Sequence, residues 1–328
     1  MIFSDKIFGD INIVEPVILE LIRCPEMQRL KKIHQSGIFY YFYPQASQNR
    51  FEHSLGVYWL LKYYGVNLEE QVAGLLHDIS HTVFSHVIDH LYESYADESY
   101  QDSIHNRFFK NNKIAGVLKK YRLDIDKISN LNQWTLLDKP LPNLCADRLH
   151  YALLDSITIG RINQSAAQIF LKDIFVINNQ FVFKSGGLAR DLAELTLWMS
   201  QNFWHADWGA YSFNLMKKIL EYSLENKIII EDDLFTDDER IDIKLNSHSD
   251  QKLQSLILKL KNFKRENVIQ DNNNYDFVKK TTKMRVVDPL VNLNGKLMRV
   301  TEIFPDFKKK FEEERQRITG TRKLRYLE

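Results

Sequence analysis

Residues 71–86 read Gln71-Val72-Ala73-Gly74-Leu75-Leu76-His77-Asp78-Ile79-Ser80-His81-Thr82-Val83-Phe84-Ser85-His86. Val72, Leu75, Leu76 and Ile79 recur at i, i+3, i+4 and i+7, the stripe of an amphipathic helix. That helix delivers an adjacent His77-Asp78 pair at its C-terminal end. His81 and His86 follow, then Asp89 and His90, so four of the chain's ten histidines fall within fourteen residues. Imidazole nitrogen beside carboxylate oxygen is the donor mix of a divalent metal site. The competing reading is a solvated polar turn holding a few satisfied histidines.

Upstream, Asn49 opens a helix on which His53, Val57, Leu60 and Tyr64 share a face. A lone histidine on such a face is usually a satisfied core residue. Asn67 with Glu70 resembles a capping box that starts the next helix. If the two helices run antiparallel, His53 near the start of one meets His77 near the end of the other. Further upstream, Pro16 and Pro25 open two helices, and Gly37 is read as a C-cap. The run Phe39-Tyr40-Tyr41-Phe42-Tyr43 reads as a packed loop, since no basic residues interleave it as a base-stacking platform would require.

Downstream, residues 92 to 103 read as a polar loop and Ile104 to Tyr121 as a helix. Asn143 to Ile159 is a strong helix, with Asp147, Tyr151, Leu154, Asp155 and Thr158 close to one face, either solvated or aimed into a pocket. Two apolar strands flank Asn178-Asn179, a hairpin signal. Gly186 to about Asn226 is helical and rich in aromatics, read as core or subunit contact. Glu231 to Arg240 reads as a solvated acidic link, Ser249 to Phe263 as helix, Met284 to Val291 as strand, and Asp306 to Arg317 as a charged helix.

The 328 residues carry a net charge of +1, which gives no general drive toward nucleic acid or anionic membrane, although a local basic patch remains open. Cys24 and Cys145 make no disulfide framework, no apolar run is long enough to span a bilayer, and no signal peptide is seen. These features lead us to expect a cytoplasmic protein.

Several motifs occur in one order: Gln28-Arg29-Leu30, Pro44, Arg50-Phe51-Glu52-His53-Ser54-Leu55-Gly56, His77-Asp78 with His81 and Phe84-Ser85-His86, then Asp147-Arg148-Leu149 and Tyr151. The series resembles the HD-domain phosphohydrolases, most of all the deoxynucleoside triphosphate triphosphohydrolase branch. It covers about residues 5 to 165, and Arg285 to Leu290 is more weakly similar to the tail of shorter bacterial members. The resemblance implies a mainly α fold: an HD-domain helical core with a small β-hairpin and a smaller C-terminal α+β part, divided into 1–230 and 231–328.

It further implies that His53, His77, Asp78 and Asp147 hold a divalent ion (Mn, Mg, Fe or Zn). His86, oriented by Asp89, would pass a proton to the leaving 5′ oxygen. His81, His105 and Arg50 would neutralise phosphate charge. Gln35, Tyr151 and Asp155 would meet the sugar. The implied reaction releases nucleoside and triphosphate from a deoxynucleoside triphosphate, in a homo-oligomer. The alternatives are a phosphohydrolase or nuclease acting on another nucleotide or on single strands, and a nucleotide-binding regulator without turnover. Gln48, Ser80, Asn106, His150 and Leu154 depart from the family pattern. No metal ligand is lost, and the departures cluster around the substrate.

Overall fold

The computed structural model describes residues 1–92, 100–110 and 112–328. Helices start where the sequence can satisfy, or dispense with, the orphan N–H groups of a first turn. Pro16 and Pro25 sit in the first turns of α1 (Pro16–Ile22) and α2 (Pro25–Arg29). Asn49 and Glu52 form a complete capping box on α3 (Arg50–Tyr63). Asn67 caps α4 (Leu68–Leu76), but the Glu70 carboxylate turns away to accept from the Leu136 and Leu137 N–H groups at 2.8 and 3.0 Å. The cap of α4 therefore also ties down the segment leading to the later helices.

Short helices α5 (Val87–Leu91), α6 (Tyr100–Ile104), α7 (Lys113–Lys120) and α8 (Ile125–Ser129) precede α9 (Ala146–Thr158) and α10 (Gln164–Asp173). The second half holds α11 (Gly186–Met199), α12 (Asp207–Glu225), α13 (Asp238–Ser247), α14 (Gln251–Lys261), α15 (Val300–Ile303) and α16 (Pro305–Thr319).

Three small sheets complete the chain. β1 (Ile2–Asp5) and β2 (Gly9–Asn12) form an N-terminal hairpin. The expected hairpin is β3 (Ile174–Ile177) and β4 (Gln180–Phe183), turning on Asn178 and Asn179 with φ of 50° and 55°, the left-handed region that Asn tolerates. β7 (Leu290–Leu293) joins that sheet parallel to β4, and β8 (Lys296–Arg299) follows antiparallel. β9 (Arg322–Tyr326) lies between β5 (Val268–Gln270) and β6 (Phe277–Lys279). The architecture is mainly α, with a hairpin and a C-terminal α+β part. Among the described residues no helix is long and apolar enough to cross a membrane, and Cys24 and Cys145 are free and buried.

Apolar side chains collect in two principal cores, and the histidine-rich stretch bridges them. Leu75, Leu76 and Ile79 belong to one, with Leu55, Leu61, Leu149 and Leu192. Val83, Phe84, Val87 and Ile88 belong to the other, with Met216, Leu220, Leu245 and Leu253. His77 to Thr82 thus crosses the seam between two packed bodies.

Five local expectations are corrected. Gly37 opens a 3₁₀ turn, Gly37–Tyr41, instead of capping a helix. The expected helix over 104–121 is broken: His105–Phe109 is 3₁₀, and Asn112 caps a fresh helix, α7. Of the expected loop at 92–103, residues 93–99 lie outside the described residues, and α6 begins at Tyr100. The strand expected from Met284 starts only at Leu290, because the preceding backbone groups bond individually, Val287 N–H to Thr196 Oγ1 at 3.2 Å and Asp288 N–H to Pro142 O at 3.0 Å. Finally, the acidic link at 231–240 is not solvated throughout. Asp238 is 1 % exposed and accepts from the Phe84 and His34 backbone N–H groups at 2.7 and 2.9 Å. A charge run looks like a solvated face only until tertiary packing supplies donors for it.

Candidate metal centre

α3 and α4 are joined by a four-residue connection and pack along one another, so the start of α3 lies beside the end of α4. His53 Nε2 consequently stands 3.2 Å from His77 Nε2. α9 packs on α3 and places Asp147 Oδ1 2.9 Å from His53 Nε2 and 3.5 Å from His77 Nε2. These three donors all lie within 4.8 Å of one another. Asp78 flanks them, with Oδ1 3.4 Å from His77 Nε2 and Oδ2 4.0 Å from His53 Nε2. The four expected ligands therefore converge.

The donor set fits a divalent cation. The His77 ring donates Nδ1–H to Gly74 O at 2.7 Å, which leaves the lone pair of Nε2 facing the cluster. Burial opposes charge on Asp78, yet the Arg50 guanidinium and the His77 and His81 imidazoles hold its carboxyl well below the usual range. Asp147 is likewise held low against burial by His53 and His77. Burial pushes His53 down to about 4. Against the same burial, Asp78 and Asp147 lift His77 to about 9. A buried carboxylate, Asp78, and a half-buried one, Asp147, thus draw positive charge from whatever group is near, a demand that a divalent ion meets directly. The centre takes a divalent metal.

The turn after His77-Asp78 is held rather than free. Arg29 Nη2 donates to Ile79 O and His81 O, each at 2.7 Å. Phe84 and Ser85 both lie in the left-handed region, at φ 55° and 50°. Non-glycine residues there cost on the order of 1–3 kcal/mol each and persist where surroundings over-determine them. Here Asp238 accepts from the Phe84 N–H, and Ser85 Oγ donates to His34 O at 2.6 Å while accepting from Arg50 Nε at 2.8 Å. This turn aims His86, whose Nδ1 lies 2.9 Å from Asp89 Oδ2. The expected imidazole–carboxylate pair is formed.

A cleft at this cluster is lined by Gln35, Arg50, His77, Asp78, His81, His86, Asp147 and Tyr151, and also by Lys283 and Arg285. Other expected residues fall differently. Arg50 is 2 % exposed and bonds Asp78 Oδ2 at 2.7 Å, so it secures Asp78 first and reaches the cleft with what remains of its fork. His81 lies 3.3 Å from Asp78 Oδ1, and burial with the neighbouring guanidinium pushes it down to about 3. His105 bonds Ser80 Oγ at 3.0 Å and lines an adjoining cavity instead. Asp155 is 3 % exposed, and its oxygens accept from Gln48 Nε2 at 2.5 Å and Trp204 Nε1 at 2.7 Å, so it does not line the cleft.

Lys283 and Arg285 were missed as site residues. Arg285 Nη2 lies 3.3 Å from His86 Nε2, and its guanidinium carbon sits 5.5 Å from the Tyr151 ring centroid. The weak tail resemblance at 285–290 was the one signal that pointed to it.

The family described as "HD domain" matches residues 50–135. Relatives extend the match. The "Uncharacterized protein YdhJ" of Bacillus subtilis is 34% identical over 297 residues, 90% of this chain and 90% of that protein. The chain belongs to the HD-domain family of phosphohydrolases. It is also 35% identical over 217 residues to the "Metal-dependent phosphohydrolase cns2" of Cordyceps militaris, covering 65% of this chain and 61% of that one. A 41% identical stretch of 103 residues matches the "Deoxynucleoside triphosphate triphosphohydrolase SAMHD1" of Xenopus laevis, 27% of this chain but 16% of that protein.

Proposed function

We propose that this protein hydrolyses a deoxynucleoside triphosphate to deoxynucleoside and triphosphate. The observation that carries the reading is the meeting of three parts at one cleft: the His53–His77–Asp147 cluster flanked by Asp78, the His86–Asp89 pair and the cationic wall of Lys283 and Arg285. His53, His77, Asp78 and Asp147 would hold the ion, which when bound polarises a phosphoryl group and lowers the pKa of water. Asp89 fixes the His86 ring by accepting its Nδ1–H, and Nε2, which faces Arg285 Nη2 at 3.3 Å, would pass a proton to the leaving oxygen from the imidazolium form. Lys283 and Arg285 neutralise the polyphosphate, the guanidinium suiting its oxygens geometrically. Tyr151, which lines the same cleft, would supply an aromatic wall for the sugar. The stretch similar to SAMHD1 supports a deoxynucleoside triphosphate as substrate.

A second reading, a phosphohydrolase for another nucleotide, is favoured by Asp155. Its oxygens already bond Gln48 and Trp204, leaving no free carboxylate for a 3′ hydroxyl without rearrangement. The experiment is incubation of the manganese-loaded protein with matched deoxyribo- and ribonucleotides, followed by chromatography. Nucleoside plus triphosphate from the deoxy substrates is the expected result. Equal rates on both sugars, or release of monophosphate and pyrophosphate, moves the assignment to the second reading. No turnover of any nucleotide overturns both.

A further inference from the structure

The two histidine ligands are supported differently. His77 donates Nδ1–H to a backbone carbonyl, Gly74 O. His53 Nδ1 instead meets a second imidazole, His150 Nδ1, at 2.9 Å. A ligating histidine typically passes its other N–H to a carboxylate, carbonyl or water, and loss of that partner costs on the order of 10–100-fold in metal affinity.

The protons can be assigned by elimination. His53 Nε2 faces the ligand cluster and needs its lone pair, so the His53 proton sits on Nδ1. His150 Nδ1 must then accept, which places the His150 proton on Nε2. That nitrogen is buried with no hydrogen-bond partner in bonding range, and Asp5 Oδ2 stands 3.7 Å away. Asp5 is itself locked: Oδ1 accepts from the Ile7 and Phe8 N–H groups at 2.7 and 2.8 Å, leaving Oδ2 to face the ring.

The space for this ring is built in. A Cβ on Gly56, one turn after His53 in α3, would lie 1.7 Å from His150 Nε2 and 2.4 Å from its Cε1. No alanine fits there with His150 in place. Glycine inside a helix costs about 0.5–1 kcal/mol relative to alanine, and here it opens the slot that the ring fills.

We propose that His150 is a positioning residue for the metal ligand His53, backed by Asp5 and accommodated by Gly56. An Asp5–His150–His53 relay thereby extends the metal centre from α9 to the N-terminal hairpin. The relay fixes which nitrogen of His53 carries the lone pair and strengthens it as a ligand. The proposal rests on the assignment of His53 as a ligand, and not on the identity of the nucleotide.

The test is the affinity of the full chain for Mn²⁺, read by calorimetry or chelator competition, with folding checked by circular dichroism. His150→Ala should weaken binding about 10–100-fold. His150→Gln, which restores an acceptor oxygen, should recover most of that loss, and Asp5→Asn should weaken binding by less than His150→Ala. Gly56→Ala should weaken binding by displacing the ring. Combined with His150→Ala, which removes the ring, it should add nothing. Affinity within twofold of the unmutated chain in folded His150→Ala overturns the proposal, as does additivity of the two losses. If His150→Ala does not fold, His150→Gln and Gly56→Ala decide: weak binding in Gly56→Ala with recovery in His150→Gln supports the relay, and any other pair of results overturns it. Asp147→Ala is the control, since unchanged Mn²⁺ binding there would sink the ligand assignment itself, whereas loss there with no effect at His150 sinks the relay alone.

Discussion

The protein buries two polar clusters built around histidine, and they are satisfied in opposite ways. At the metal centre, two carboxylates and two imidazole nitrogens face one another at 2.9 to 4.0 Å, and Arg50 answers one oxygen of Asp78. Around His205, most donors meet acceptors, although His205 Nε2 and Arg322 Nε stay unpartnered among the described residues. Ser200 Oγ donates to Glu314 Oε1 at 2.6 Å and lies 3.0 Å from His205 Nδ1. Arg317 grips both oxygens of Glu314 at 2.6 and 2.7 Å. Arg322 pairs with Asp207 at 2.6 Å, and Lys279 donates to His205 O at 2.7 Å. Both clusters are desolvated, so burial of charge does not distinguish a binding site from a structural lock. Unmet demand does. Acceptors converge on acceptors at the first cluster, whereas donors and acceptors alternate at the second.

The sharpest way to break this contrast is to remove one acceptor from each. Asp147→Ala should abolish stoichiometric metal binding and lower turnover by more than about 100-fold, beyond what losing a supporting group costs. Elemental analysis of the folded variant checks it, and full occupancy would mean that the convergence is incidental. His86→Ala should keep the ion and lose turnover by on the order of 10²–10⁴-fold, as expected for a proton-transfer group. Single-turnover assays on metal-replete protein measure that separation.

At the second cluster, Glu314→Ala should leave Mn²⁺ affinity alone but destabilise the fold by roughly 3 kcal/mol, since it strands a half-buried guanidinium and a buried hydroxyl. Urea unfolding with chelator present is the measurement. A change in metal affinity would show that the two clusters are coupled.

The smallest effect is a pH slope. Burial, reinforced by Arg322, pushes Lys279 down to about 7 from the usual lysine value. Between pH 7 and about 10.5 the unfolded chain holds this proton and the native chain does not, so stability should rise with pH across that window. Below pH 7 both forms are charged and the gain is absent. Lys279→Met should flatten the slope by on the order of 1 kcal/mol per pH unit, as read by urea unfolding at three pH values. An unchanged slope would show that Lys279 stays protonated in the native protein.

What was legible in the sequence follows the range of the interactions. Asn49, Asn67 and the spacing of Leu75, Leu76 and Ile79 act within a turn or two, so α3, α4 and the meeting of His53 with His77 could be read directly. Asp147 came through the resemblance, because nothing local distinguishes a ligand from any acidic residue on a half-buried helix. Asp238 was misread for the same reason: its donors, Phe84 and His34, are more than 150 residues away. Arg285 reaches His86 across 199 residues, a distance over which periodicity carries no information. His150 stood out as a departure, but its role needed the ring geometry and the slot at Gly56.

The HD-matching span, 50–135, stops short of Asp147, and this bears on how the chain acquires its parts during synthesis. A nascent chain emerges N-terminus first, and early segments can pack before later ones exist. Asp5, His53, His77 and Asp78 come first, and Asp147 and the proposed positioning residue His150 complete the candidate centre while more than half of the 328 residues remain unmade. Lys283 and Arg285 arrive much later. The growing polypeptide can therefore be cross-linked by an ion across α3, α4 and α9 well before the cationic wall exists. Capture of the metal would then be an early folding event, and completion of the cleft by Lys283 and Arg285 a late one.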